Sequence, residues 1–294
     1  MLSSETTYLN LSQWQKLAAT HRSEVRKWTE PYRNRKACHQ KHPVYDFLFT
    51  YYPFSPGKLE QWHPGYGISL ECIQAPPVRL QSRHYQHSDN IISLDPGTLS
   101  EKQASRLSWI HHLLSLTHKR KANFGCHGLH EWAMIHRATD IRHRECAPLR
   151  LRQEDIDQLV ETQPIACSHF DAYRFFSATA VGINKLKPTL DSRQDFEQCG
   201  CLHTNMYLYK WASKCMPWVG SKLLWQCFQL ALKARELDLG ASPYDLAEYG
   251  YEPVKVETAE GRTEYETMQR EISRQSIPLR QQLIDLLAEL NVKT

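Results

Sequence analysis

The strongest constraint on the fold is the spacing of apolar side chains between residues 11 and 32. Leu11, Trp14, Ala18, His21, Val25, Trp28 and Tyr32 recur at intervals of three and four, the period that gathers them on one face of an α-helix. The other face is basic. From Arg22 to Lys41 seven Lys and Arg stand against Glu24 and Glu30, a local charge of +5 in a chain whose net charge is +4. Such a stripe is either a solvated helix face or a surface that meets phosphates. The helical period returns from Gly97 to Thr117, over Gly128 to His136, Cys201 to Cys215, Ser221 to Asp238 and Gly261 to Leu290.

His42 to Tyr52, with Pro43 suited to a first turn and dense apolar residues behind it, predicts a core helix. Gly65, Gly67, Pro76 and Pro77 interrupt the pattern around Ile68 to Ile73, and Val78 to Tyr85 follows, so a small hairpin is expected there. Pro148 to Cys167 carries Leu149, Leu151 and Ile165 in short runs that fit strands better than helices. Ser242, Pro243 and Asp245 sit as N-cap, first helical position and first-turn acid of a further helix. The expected class is mainly α with a minor β component (α+β), a helical core with one or two small antiparallel sheet elements. No repeat or linker-like stretch divides the sequence, so residues 1–294 are expected to form a single globular domain.

Composition bounds the setting. No stretch is both apolar and uncharged for the ~18 residues a membrane span needs, and Met1 to Leu11 reads as neither a secretory signal nor a transit peptide. A cytoplasmic protein without membrane contact is expected. Nine cysteines, at 38, 72, 126, 146, 167, 199, 201, 215 and 227, form an odd and scattered set, read as reduced and mostly buried thiols.

Three motifs set ionisable residues among apolar neighbours, where protonation and metal affinity are tuned. In the first, His127, His130 and Met134 share a helix face, and Glu131, flanked by Leu129 and Trp132, suits a general acid or base of raised pKa. The second runs from Ser168 to Phe176. If extended, it projects His169 and Asp171 to one side; if it opens a helix, Asp171 and Arg174 form an i, i+3 ion pair. The third is Cys199, Cys201 and His203, a Cys-x-Cys-x-His fragment lacking the second ligand pair of a zinc knuckle; His203 and Asn205 could face a ligand there. The aromatic run Tyr45, Phe47, Phe49, Tyr51, Tyr52 and Phe54 is either core or a stacking surface for a flat ligand. Tyr244 and Asp245 are reserve candidates. No phosphate-binding glycine loop, dinucleotide fingerprint, G-x-S-x-G elbow or H-E-x-x-H pair is present.

On these and other words the sequence resembles a bacterial family commonly labelled 3-methyladenine DNA glycosylase. The words are His42 to Val44 and Asp46 to Tyr52, Trp62 to Gly65, Gly128 to Met134, His169 to Asp171, Cys201 to His203, Ala241 to Leu246, Glu257-Thr258, Gly261-Arg262 and Glu264-Tyr265. The family pattern has Phe at the position of His127, Pro at Cys199 and Asp at Tyr207, which makes His127 and Cys199 poor candidates for essential ligands. The resemblance implies hydrolysis of the N-glycosidic bond of an alkylated purine in double-stranded DNA, with no cofactor. Asp171 or Glu131, beside His169, would then stabilise positive charge and orient water. His130, Trp132, Tyr173, Arg174, His203 and Asn205 would contact the flipped base, and Arg22, Arg26, Lys27 and Arg33 the phosphates. The residues alone admit an alternative, a transition-metal enzyme of the iron type acting on a small molecule through His130, Glu131, His169, Asp171 and His203.

Overall fold

In a computed structural model, residues 7–138 and 147–290 are described; Cys146 lies outside them. The elements in chain order begin with β1 (Thr7–Leu9), α1 (Leu11–Ala37), α2 (Phe47–Thr50), α3 (Pro56–Glu60), β2 (Ile68–Glu71), β3 (Tyr85–Ser88), β4 (Ile91–Leu94) and α4 (Glu101–Lys119). They continue with α5 (Leu129–Met134), α6 (Gln153–Thr162), α7 (Phe170–Tyr173), α8 (Arg193–Phe196), α9 (Leu202–Lys214), α10 (Gly220–Gly240) and α11 (Ala259–Glu289). The protein is 56% helix and 6% strand, mainly α with one minor sheet. None of the described helices is long and apolar enough to cross a membrane.

The chain divides into two compact units, each assembled from separate segments. The first takes residues up to 114 together with 209–229 and 279 onward; the second takes 115–208 and 230–278.

In the first unit, α1 begins with a capping box: the Asn10 side chain accepts from the Gln13 backbone N–H at 3.0 Å, and the Gln13 side chain accepts from that of Asn10 at 2.9 Å. Trp14, His21, Val25 and Tyr32 are buried as the period demanded, and Thr29 joins them. The helix packs on α3 and β2, and the Trp14 ring stacks on Trp62 at 6.4 Å. The basic stripe is largely paired: Lys27 with Glu24 at 2.7 Å, Arg33 with Glu60 at 2.6 Å, and Arg26 with Glu30 and Glu60 at 3.6 and 3.7 Å, while Arg22 is exposed.

The sheet, ordered β1-β2-β4-β3, belongs wholly to this unit. It is mixed rather than purely antiparallel, because β1 runs parallel to β2. The hairpin is β3–β4, turning on Asp89 and Asn90, which hold φ of 48° and 62°; Asp and Asn tolerate the left-handed region a two-residue turn requires. The expected partner Val78 to Tyr85 is mostly not a strand, because Val78–Gln81 coils into a 3-10 turn after Pro77. The predicted helix over His42 to Tyr52 shrinks to the four residues of α2. Side chains take over the backbone donors ahead of it: Asp46 accepts from the His42 N–H at 2.9 Å, and His42 Nδ1 from those of Val44 and Tyr45 at 3.3 Å.

In the second unit, the strands expected within Pro148 to Cys167 are replaced by α6. Its first turn carries Glu154 and Asp155, and Ile156, Leu159 and Val160 are buried at helical spacing. Leu149 alone behaves as strand, bridging Tyr244. That bridge also removes the helix predicted from Ser242: its hydroxyl instead donates to the Leu239 carbonyl at 2.6 Å, closing α10.

Burial of a neutral imidazole in the first unit makes stability depend on pH. His63 bonds the Tyr85 hydroxyl through Nδ1 at 2.8 Å, and burial, aided by the charges of Arg79 and His21, lowers its pKa to about 4. The unfolded chain therefore takes up a proton first. Stability from this group is complete above the unfolded value near 6.5 and is lost as pH falls from there towards 4, by at most about 3 kcal/mol. Denaturant midpoints at pH 7 and pH 5 should fall further apart for the wild type than for a His63→Gln variant; equal separations refute the assignment.

Candidate metal centre

The short helix α5 is positioned by Gly128, whose φ of 72° lies in the left-handed region. A Cβ at this position would stand 3.2 Å from Ala241 Cβ and from the Tyr265 ring, so the approach needs glycine. Trp132 anchors the helix by donating from Nε1 to the Ala241 carbonyl at 2.8 Å. His130 then points inward, with Nε2 2.8 Å from Asp238 Oδ1 and Nδ1 3.3 Å from Cys126 Sγ. From α9, His203 meets the His130 ring edge-on at 4.6 Å and brings its Nε2 to 3.8 Å from Asp238 Oδ2. Arg235, three residues before Asp238, donates to that same oxygen at 2.7 Å and lies 3.8 Å from Glu131 Oε1.

One donor atom from each of His130, Glu131, His203 and Asp238 thus lies within 4.8 Å of the others. Bonds of ~2.0–2.2 Å to a shared ion place opposed donors ~4.0–4.4 Å apart. The donors of the quartet are close to that spacing.

The electrostatics follow from burial. Burial would raise the Asp238 carboxyl, but His203, which is protonated in the acid range where this carboxyl titrates, the hydrogen bond and charge of His130, and Arg235 hold it well below the ordinary range. Glu131 is pushed up to about 7 by burial and by Asp238, against the pull of Arg235 and His130. Burial lowers His203 to about 4, so its imidazole is neutral at pH 7. His130 goes well above its usual value: burial opposes this, but the Cys126 sulfur and Asp238 outweigh it. Cys126 is lowered in turn, through a hydrogen bond with Cys167 and then, against burial, the proximity of His130.

The other residues expected at a site fall in three groups. His169, buried at the N-cap of α7, stacks on His203 at 5.5 Å and meets Tyr207 edge-on at 4.4 Å, one ring away from the quartet. Asp171 is clamped: Arg193 and the Tyr207 hydroxyl donate to Oδ2 at 2.6 and 2.7 Å, and Arg174 pairs with Oδ1 at 3.0 Å. The segment has therefore taken the helical alternative, not the extended one that would set His169 and Asp171 on one face. Trp132, Tyr173, Arg174 and Asn205 do not line the enclosed space beside the quartet. Tyr173 donates to the Val181 carbonyl at 3.4 Å, Arg174 is exposed over the Phe175 ring, and Asn205 donates to the Cys199 carbonyl at 3.0 Å.

That space measures about 10 Å³ and is walled by Cys126, Cys167, Cys201, His130, His203 and Tyr265, among others. It is close to the least that holds one water. Asp238, Arg235 and Cys126 were missed from the sequence. Their available signals were Arg-x-x-Asp near the end of a long helix and a cysteine four residues before His130.

Searches of family models, curated proteins and solved structures find no match to the chain. The class of protein is accordingly read from the site.

Removing one partner from so buried a charge network costs about 3–5 kcal/mol, so Asp238→Ala should lower unfolding free energy by that order. Arg174→Ala, which removes an exposed partner of Asp171, should cost about 1 kcal/mol or less. Comparable losses for the two in denaturant titrations would refute the assigned burial.

Proposed function

We propose that the second unit is a metal-dependent enzyme acting on a small molecule, with a divalent transition metal held by His130, His203, Asp238 and Glu131. The single observation behind this reading is that four donor atoms, from two buried and two partly buried residues, lie within 4.8 Å of one another. Two imidazoles and two carboxylates suit iron, manganese or zinc. Such an ion lowers the pKa of bound water or polarises a substrate oxygen, and the adjoining one-water space supports the former.

The surrounding residues support the same reading. A ligating histidine ordinarily gives its second ring N–H to an acceptor, which fixes its orientation; Cys126 Sγ is placed to accept from His130 Nδ1. Arg235 steadies Oδ2 of Asp238 and leaves Oδ1 facing His130 Nε2. His203 already carries the neutral imidazole that a cation requires. DNA base excision, implied by the family resemblance, asks for a base-sized aromatic hollow beside an available carboxylate. Asp171 is engaged by two guanidinium groups and a phenol, and the space by the quartet has room for about one water, so the metal reading is preferred.

Elemental analysis of the purified protein tests it. Stoichiometric iron, manganese or zinc is expected, lost in His203→Ala and Glu131→Gln and retained in Arg174→Ala. Absence of bound metal after anaerobic reconstitution with each ion overturns the proposal. Release of free 3-methyladenine from methylated duplex DNA by chelator-treated protein would favour base excision instead.

A further inference from the structure

The first unit holds a second candidate site, separate in composition from the metal centre. A cleft of about 490 Å³ lies among the C-terminal half of α1, the α2 segment and the turn into α3. This is a common size for small-molecule sites, ~300–1,000 Å³. Its lining includes three cations, Arg33, Lys36 and Lys58, and no carboxylate. Arg33 is steadied by Glu60 at 2.6 Å. Lys36 and Lys58 are exposed, and among the described residues neither has a carboxylate within ion-pair distance.

The wall behind this rim is aromatic. Tyr32 and Phe49 stack at 4.8 Å and are buried with Tyr52, forming a rigid backing. Phe54, partly exposed, also lines the cleft. Pro53 and Pro56 fix φ on either side of the turn, and the Ser55 hydroxyl caps α3 at the Lys58 N–H, 3.3 Å away. Two exposed lysines with no carboxylate beside them call for an anion, and an aromatic edge on a pre-set turn calls for a flat apolar face beside it.

We infer that this cleft binds a small planar ring carrying a phosphate, a nucleoside monophosphate being the simplest ligand of that chemistry. The ring lies against Phe54, and the phosphate is drawn to Lys36 and Lys58, with Arg33 fixing the nearer edge.

Calorimetric titration of the full-length protein with AMP, adenosine and inorganic phosphate tests the inference. AMP should bind more tightly than either fragment, and less tightly as salt is added. Lys36→Glu with Lys58→Glu, both at exposed positions, should weaken AMP by about tenfold or more; Phe54→Leu should weaken AMP while leaving phosphate unchanged. Absence of AMP binding, unchanged affinity in the double lysine variant, or phosphate matching AMP overturns it, as does a twelve-nucleotide single strand displacing AMP with far higher affinity. Repeating the titration on His203→Ala keeps the result independent of the metal centre: binding there should equal that of the wild type.

Discussion

The second unit depends on keeping Asp238 ionised at a position with no exposure to solvent. A buried carboxylate is costly unless cations and donors replace its water. Here His130 and Arg235 bond its two oxygens from different directions, with His203 close by. The same contacts fix where α5 and α9 bring their histidines. The charge pattern and the donor quartet are therefore one arrangement seen from two sides.

Around that centre runs a chain of further polar contacts. His203 stacks on His169, His169 faces Glu197 at 3.7 Å, Glu197 pairs with Arg193, and Arg193 with Asp171. Packing alone does not require so many buried ionisable groups, since apolar residues of similar volume are often as stable or more so. Their accumulation in one place is the physical argument for chemistry there.

How much of this was legible depended on whether a residue's neighbours along the chain were its partners in space. The burial of α1 followed from its own period, and His130, Glu131 and His203 stood out because each interrupts an apolar run. Asp238 did not stand out, because an acid near the end of a helix with Arg235 three residues earlier looks like a solvated pair; only the 108-residue contact to His130 reveals its role. Asp171 misled in the opposite sense. Its motif was conspicuous, yet Arg193 and Tyr207, both distant in sequence, occupy one of its oxygens. The helix expected at Ser242 gave way to the Leu149–Tyr244 bridge, whereas the strands expected after Leu149 gave way to the buried face of α6.

Asp238 also occupies the final turn of α10, where the helix macrodipole already concentrates negative potential and another anion is unwelcome. Its cationic neighbours thus also offset the unfavourable potential at that helix end. Immediately beyond lie the Ser242 hydroxyl closing on Leu239 and the bridge from Tyr244 to Leu149. The buried acid, the end of α10 and the segment leading into α6 thus lie along one short run of contacts.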